Sequence, residues 1–252
     1  CMSQNLSLSL KKCLFFPKRL EFVGTDVCED GNRPAQSKHQ LLQKWPPFTC
    51  AHDVASFLGF VNFYSRFIPY FEQRAAPLRA LAKMELDTKI TSLTDEQEHA
   101  RVDLMEAILS DPCIARYDCM KRQYRLTDFS KAGFGYVICQ PADDPDSLAA
   151  MRREMEGGDC EFLLPNSNLQ LRTTGFGSRG ARGRESSLHS HLGEGFALDW
   201  AINKCRGKLY GVQFTSLTDC FALRFILTYD GPNAVFLRLQ MRLMMWAMDL
   251  HH

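Results

Sequence analysis

The stretch RLTDFSKAGFGYVICQ, residues 125–140, decides the fold of the C-terminal half of this chain. Polar and apolar residues alternate up to Ser130, a Lys-Ala-Gly turn follows, and a second alternating run begins at Gly133. Alternation with a period of two, broken by a glycine turn, is typical of two antiparallel strands. The pattern therefore predicts a hairpin that carries one acid, Asp128, towards the end of its first strand.

Two further acids occur in comparable settings downstream. Glu194 lies just inside an apolar helical segment, and Asp219 directly follows the hydrophobic strand VQFTSLT. Carboxylates that converge on a pair of hard cations are the ligand set of two-metal phosphodiester hydrolysis. If the strand before Asp219 runs beside the strand of Asp128, the two acids meet at one end of the sheet. Each acid taken alone is better interpreted as an ordinary surface acid, but the three matching contexts together favour a metal site.

The composition limits the classes of protein to which the chain can belong. With 252 residues, 45% of them hydrophobic and 23% charged, it can bury one large core or two small ones, and we expect two domains. A net charge of +1 means that any nucleic-acid binding must come from local patches. The ten cysteines lack zinc-site spacing, which favours free thiols in a reducing compartment. No apolar run is long enough to span a membrane, and a start at Cys1 indicates a piece of a longer reading frame.

The order of the predicted elements divides the chain in two. Residues 7–34 predict a small hairpin, and residues 38–84 predict short helices with breaks at Pro46, Pro47, Pro69 and Pro77. A capping box at Thr94 begins a helix that runs to about residue 109. From residue 123 the order β-β-β-α-β-α predicts a mixed sheet flanked by helices. Residues 141–168 predict an insertion at a hairpin tip, with solvated acids.

The first half resembles the reverse transcriptase of gypsy-class long-terminal-repeat retrotransposons. The segments KCLF and LEFVG are similar to the end of that family's palm, where the primer strand is gripped (residues 12–15 and 20–24). The segments WPP, SFLGFVNFYSRFIP and APL resemble its thumb (residues 45–47, 56–69 and 76–78). The resemblance implies the end of a palm over residues 1–34 and a small helical thumb and connection over residues 35–118.

The second half resembles the ribonuclease H domain of the same family. TDFSKAGFG at residues 127–135 is similar to the Thr-Asp-Ala-Ser-x-x-Gly-x-Gly motif that opens the domain, and FGSR at 176–179 resembles its third strand. Glu194 and Asp219 match the second and third carboxylates by position and context. The resemblance implies a ribonuclease H-like α/β fold over residues 119–252. It also implies that the catalytic residues, and the ligands of two Mg²⁺ ions or alternatively Mn²⁺, are Asp128, Glu194 and Asp219.

The resemblance implies part of a retroelement reverse transcriptase that binds an RNA/DNA hybrid and hydrolyses its RNA strand. Asp128 would bridge both ions, Glu194 would hold one and orient the water, and Asp219 would hold the other. The implied partners are the hybrid and the rest of the Pol polyprotein, namely palm and fingers, with integrase and protease where it carries them. No membrane partner is expected, and the implied location is a cytoplasmic virus-like particle, with the nucleus as the alternative.

Other functions stay open on the sequence alone. A non-catalytic nucleic-acid-binding fragment and a decayed retroelement remnant are both compatible with the missing parts of the family pattern. A different nuclease or transferase on the same fold is a third alternative, because a fold does not fix a function. The thumb-like segment argues against this third alternative.

The chain departs from the family pattern at both ends. The polymerase's own metal-binding acids, in a Tyr-x-Asp-Asp turn, would precede Cys1, so the chain alone is not expected to synthesise DNA. After Trp246 the family continues into a fifth strand and a final helix with a fourth carboxylate. We therefore expect a ribonuclease H-like domain that is truncated at its C-terminus and lacks both elements. The strand before Asp219 would then be an open sheet edge.

Five arginines are candidates for contacts with nucleic acid. Arg66 and Arg74 lie in the thumb-like segment, where the aromatic residues at helical spacing are better interpreted as core. Arg179, Arg182 and Arg184 lie in a glycine-rich stretch that could follow a phosphate backbone. A solvated loop is an equal alternative for this second group.

Overall fold

The computed structural model of the chain describes residue 11 and residues 13–252. Most of the N-terminal part of the predicted hairpin, and Lys12 of the KCLF segment, lie outside these described residues. Within them, the first elements are β1 (Arg19–Phe22), β2 (Thr25–Cys28) and β3 (Gly31–Pro34). These strands pair in that order as an antiparallel sheet, so the region is a three-stranded meander instead of one hairpin.

A helical region follows, made of α1 (Gln36–Gln43), α2 (Ala51–Phe63), α3 (Phe71–Ala82) and α4 (Asp95–Leu109). Its core is rich in aromatic side chains, including Phe57, Tyr64 and Phe67. The capping box predicted at Thr94 is present, with reciprocal hydrogen bonds between Thr94 and Gln97. The sequence signals for helix starts and for the breaks at Pro46, Pro47 and Pro69 are therefore confirmed.

The predicted break at Pro77 is wrong, because α3 continues through this residue. Proline has no N–H to donate to the carbonyl four residues earlier, so the Gln73 carbonyl receives no helical hydrogen bond from it. The helix persists because Phe71, Ala75 and Leu78 form one face that is buried in the aromatic core. Apolar burial on this face outweighs the loss of one hydrogen bond.

The second half forms a five-stranded sheet in the order β6-β5-β4-β7-β8. Its strands are β4 (Gln123–Ser130), β5 (Gly133–Pro141), β6 (Leu171–Gly180), β7 (Phe214–Leu217) and β8 (Met248–His251). β5 pairs antiparallel with β4 and β6, whereas β7 pairs parallel with β4 and β8. The accompanying helices are α5 (Pro145–Met155), α6 (Ser190–Lys204), α7 (Arg206–Leu209) and α8 (Ala234–Leu243). The predicted mixed sheet flanked by helices is confirmed.

Two expectations about the sheet edge are wrong. The strand before Asp219 is not an edge, and the sheet does not lack a fifth strand, because β8 pairs with β7 along its whole length. Met248 of β8 is buried in the core, and Asp249 is ion-paired with Arg122. A four-residue strand at the end of the chain has too few residues to show a period, which is why the sequence did not reveal it.

The insertion between β5 and β6 is also more ordered than its polar composition predicts. It contains α5, which begins where the Asp144 carboxylate accepts a hydrogen bond from the Ser147 amide at 2.8 Å. Near the other end of α5, Glu154 is buried and accepts hydrogen bonds from the hydroxyls of Tyr124 at 2.7 Å and Thr215 at 2.9 Å. The prediction that the acids of this insertion are solvated is therefore wrong for Glu154.

The helical region packs on one face of the five-stranded sheet, over β5 and β6. Gly135 of β5 faces Tyr70, the residue before α3, whereas the adjacent Phe134 contacts Trp200 of α6. Successive residues of a strand point to opposite faces, so α3 and α6 lie on opposite sides of the sheet. None of the helices in the described part of the chain combines the length and apolar character that a bilayer crossing requires.

Arg125 of β4 is a buried charge that forms no ion pair within the described residues. One guanidinium nitrogen donates to the Ser216 hydroxyl at 2.6 Å, but Nε and Nη1 have no hydrogen-bond partner. Burial lowers the pKa of this guanidinium. Arg122, the residue directly before β4, is also buried but is ion-paired with Glu154 at 2.9 Å.

We predict that Arg125→Met raises the free energy of unfolding by about 2 kcal/mol or more, because it removes an uncompensated buried charge. Arg122→Met is the matched control and should lower the free energy of unfolding by about 3–5 kcal/mol, since it removes the buried ion pair with Glu154 from one side. Urea denaturation at pH 7 followed by circular dichroism measures both changes. A loss of stability in Arg125→Met would contradict the prediction.

Candidate metal centre

The parallel pairing of β4 and β7 brings two of the predicted acids together. Leu126 of β4 is in register with Leu217 of β7. Asp219 lies two residues beyond the end of β7, where continuing this register brings it beside Asp128. The neighbouring strands predicted for these two acids are therefore confirmed, and both acids lie at the same end of the sheet.

The third acid, Glu194, lies on α6, which packs on the face of the sheet opposite α3. Gly193 allows this helix to approach closely, because a Cβ at that position would lie 2.2 Å from the ring of Phe129. The approach brings one Glu194 carboxylate oxygen within 3.2 Å of the Phe129 amide, from which it accepts a hydrogen bond. Phe129 follows Asp128 directly, so this contact fixes Glu194 next to the other two acids.

The three carboxylates form one cluster. One oxygen each from Asp128, Glu194 and Asp219 lies within 4.8 Å of the others. Glu194 is only 4% exposed, and its second oxygen, Oε2, has no hydrogen-bond partner. A buried anionic oxygen without a donor is costly unless a cation binds it. Hard oxygen donors at this spacing suit Mg²⁺ or Mn²⁺, so the residues present fit a divalent cation.

The burial of Glu194 and its closeness to the other two carboxylates also change its pKa. Burial, together with the nearby carboxylates of Asp219 and Asp128, raises the pKa of Glu194 to about 7. The hydrogen bond from the Phe129 amide acts in the opposite direction but is weaker. Without a cation, the cluster therefore keeps part of its charge neutralised by a proton at neutral pH.

The first turn of α3 reaches the carboxylates from the opposite side of the sheet. The Gln73 side-chain amide donates a hydrogen bond to Asp128 Oδ2 at 3.1 Å. The Ser178 hydroxyl accepts a hydrogen bond from the Glu72 amide at 3.0 Å and so holds this turn on β6. Burial and the three carboxylates raise the pKa of Tyr70. Gly135 leaves room for the Tyr70 ring, since a Cβ there would lie 2.5 Å from it.

The two arginines predicted in the helical region are both engaged within the protein. Arg66 donates to the Thr25 hydroxyl at 2.6 Å and lies over the rings of Phe63 and Phe67. Arg74 forms a bidentate ion pair with Asp103, with both distances at 2.6 Å. Their role in nucleic-acid binding stays a prediction.

The three arginines of the glycine-rich stretch differ from one another. Arg179 forms a bidentate ion pair with Glu185 at 2.6 and 2.8 Å, and its guanidinium lies 4.0 Å from the centre of the Phe134 ring. The side chains of Arg182 and Arg184 are exposed. Contacts of these three residues with nucleic acid also stay predictions.

A cleft of about 550 Å³ opens between α3 and the end of β6, and four cationic residues are among those that line it. Arg79 comes from α3 and Lys83 directly follows this helix, whereas Arg179 and Arg182 come from the other wall. Arg79 is paired with Glu72 at 2.7 Å. Within residue 11 and residues 13–252, neither Lys83 nor Arg182 forms an ion pair.

Sequence reasoning missed the residues that approach the cluster from the helical region. Tyr70 and Gln73 lie more than fifty positions before Asp128, and no local motif marks them. Lys83 was missed for the same reason, because only the packing of α3 on the sheet brings it opposite Arg182. An isolated glutamine gives no signal in a single sequence.

The strand order, and the acids at the ends of two adjacent parallel strands, define a ribonuclease H-like domain. The sequence model of one family, described as an RNase H-like domain found in reverse transcriptase, matches residues 120–252. This match covers more than half of the chain, which therefore belongs to that family.

Known Pol polyproteins are similar to nearly the whole chain. The retrovirus-related Pol polyprotein from transposon 412 of Drosophila melanogaster is 25% identical over 244 residues, which are 96% of this chain and 17% of that protein. The corresponding polyprotein from transposon gypsy of the same organism is 26% identical over 240 residues, 91% of this chain and 20% of that protein. The predicted resemblance to gypsy-class elements is confirmed, and the chain spans about a fifth of the length of these relatives.

The fold also matches that of a solved structure. The foamy viral protease-reverse transcriptase, in complex with an RNA/DNA hybrid, superposes with a TM-score of 0.68 at 13% sequence identity. The match covers 96% of this chain and 30% of that chain. At this identity the likeness establishes the fold alone.

We predict that Glu194→Gln stabilises the metal-free protein, and more so at high pH. The pKa of Glu194 is about 7 in the folded protein against an ordinary value of 4.5. The folded state therefore retains a proton that the unfolded state releases, and the stability of the unsubstituted protein falls as pH rises between these values. At pH 8 the glutamine, which does not titrate, should add about 2–3 kcal/mol to the free energy of unfolding relative to its effect at pH 4.5.

Urea denaturation with EDTA at pH 4.5 and pH 8 measures this difference. Glu98→Gln is the matched control with the opposite trend, because Arg101 lowers the pKa of Glu98. An effect of Glu194→Gln that is the same at both pH values would refute the prediction.

Proposed function

We propose that the chain is the ribonuclease H segment of a retroelement reverse transcriptase and hydrolyses the RNA strand of an RNA/DNA hybrid. The observation that carries this proposal is the convergence of three carboxylates around an unpartnered, buried oxygen of Glu194. The membership of the reverse-transcriptase RNase H-like family supports the reaction class. In the same proposal, the helical region is a thumb that holds the duplex, and β1–β3 are the end of a palm.

Asp128, Glu194 and Asp219 would hold the metal ions. Bound Mg²⁺ would activate a water molecule and stabilise the leaving oxygen of the phosphodiester. In the proposed assignment Asp128 would help to hold both ions, Glu194 would hold one and orient the water, and Asp219 would hold the other. Asp219 is exposed, so the cluster is accessible from solvent on its side.

The cationic cleft gives the hybrid a surface near the cluster. Asp128 is in register with Gly135, which is in register with Ser178 of the cleft wall. Two strand spacings therefore separate the cleft from the metal-binding acid, about 10 Å. Lys83 and Arg182, which are free of ion pairs in the described part of the chain, are available for phosphates. Contacts of this kind recognise the shape of the duplex instead of its sequence.

The first test is cleavage of a labelled RNA/DNA hybrid with Mg²⁺. We expect Asp128→Asn to lower the cleavage rate by about 10³-fold or more, because one metal-binding carboxylate contributes several kcal/mol of transition-state stabilisation. Asp146→Asn, at an exposed position on α5, is the control and should cleave at the rate of the unsubstituted chain.

Equal cleavage by Asp128→Asn and the unsubstituted chain would refute the assignment. Hybrid binding without any cleavage by the unsubstituted chain would select the non-catalytic alternative. The proposed setting is the cytoplasmic virus-like particle of the element, with the rest of the Pol polyprotein as partner.

The second test concerns the cleft. We expect Lys83→Ala and Arg182→Ala each to reduce the slope of log K against log salt for hybrid binding by about one unit, since each would remove one phosphate contact. Lys44→Ala, at an exposed residue beyond α1, is the charge-matched control and should leave the slope unchanged. Fluorescence anisotropy in EDTA measures binding without cleavage, and slopes equal to that of the control would rule out the cleft as the binding surface.

A further inference from the structure

The three carboxylates do not complete the ligand shell of a hard cation. Mg²⁺ prefers six oxygen ligands in an octahedron, and proteins supply some of them while water fills the rest. Asp219 is exposed, which leaves that side to water, whereas the side of Asp128 that faces the helical region is covered by α3. The group that α3 presents there lies beside Asp128, one of the proposed ligands.

Gln73 is that group, and the distance suits a ligand. Its side-chain nitrogen lies 3.1 Å from Asp128 Oδ2. Oxygen ligands at about 2.1 Å from Mg²⁺ lie about 3.0 Å from their neighbours in an octahedron. The end of the Gln73 side chain therefore stands at the separation of two adjacent ligands.

The side-chain amide of glutamine can contact the site both without a cation and with one bound. Its nitrogen donates hydrogen bonds and its oxygen accepts them, and a half-turn of the last torsion exchanges the two atoms. In the metal-free protein the nitrogen donates to the Asp128 carboxylate. Amide oxygens are established ligands of hard cations, and the same half-turn presents one to the cluster.

We propose that Gln73 supplies a fourth protein ligand, its side-chain carbonyl oxygen, to the divalent-cation site, so that the helical region and the sheet share one metal centre. This inference rests on the proposed function, because it requires Asp128, Glu194 and Asp219 to bind the cation.

The packing of α3 keeps Gln73 in place without any help from a cation. The adjacent Glu72 amide donates to Ser178 of β6, and the Tyr70 ring occupies the space that Gly135 leaves. Tyr70 has a φ of 52°, a left-handed conformation that is unfavourable for a tyrosine. The contacts around it hold this conformation and with it the start of α3.

The test is calorimetric titration of the metal-free chain with Mn²⁺ alone, without nucleic acid. We expect Gln73→Met, which has a similar length but no amide, to weaken Mn²⁺ binding about tenfold or more. Gln73→Glu should tighten it by a similar factor, because it adds a carboxylate in the same place. Gln43→Glu, at the exposed end of α1, controls for added charge and should leave the affinity unchanged.

Tighter Mn²⁺ binding by Gln73→Met would show that Gln73 is not a ligand. If Gln73 only blocks Asp128, its removal frees a ligand oxygen, and Gln73→Met would bind Mn²⁺ more tightly. That outcome, or unchanged affinity in both Gln73 variants, overturns the inference. Thermal denaturation checks folding, and if Gln73→Met does not fold, Gln73→Asn replaces it with the same expected weakening, because its amide falls one methylene short.

Asp128→Asn separates this inference from the proposed function. Loss of Mn²⁺ binding in Asp128→Asn together with unchanged binding in the Gln73 variants refutes the fourth ligand alone. Full Mn²⁺ binding by Asp128→Asn refutes the carboxylate site itself, and the fourth ligand with it.

Discussion

The parallel pairing of β4 with β7 is the constraint on which the site depends. It places Asp128 beside Asp219, although ninety residues of chain separate them. Two like charges so close together are unfavourable, and the buried Glu194 adds a third. Gly193 lets α6 pack closely on Phe129, and the Phe129 amide donates a hydrogen bond to Glu194, which holds this third acid beside the other two.

The rest of the second half supports that pairing from both sides. β8 closes the far edge of β7, and the buried pair of Arg122 and Glu154 attaches α5 beside the same strands. Arg125, in contrast, carries an uncompensated charge into the core between β4 and α6. The strand that carries Asp128 is therefore also the strand in which we expect a buried charge to lower stability.

The parts of the structure that local sequence can encode were predictable. The hairpin around Asp128, the capping box at Thr94 and the order of strands and helices depend on periodicity and on turn residues within a few positions. The three acids were predictable because each follows or begins an apolar element. β8 and the buried state of Glu154 were not, since one is too short to show a period and the other depends on a distant arginine.

Sequence patterns do not predict the contacts between the helical region and the sheet, for a further reason. They join single residues, such as Tyr70 with Gly135, whose meaning appears only when both surfaces are present. This fit also limits how such elements can evolve by recombination. A helical region exchanged between related elements would carry its own residue at position 70 onto a foreign strand, and a side chain at position 135 of that strand would collide with a tyrosine ring at position 70. The two halves are therefore expected to be inherited as one unit.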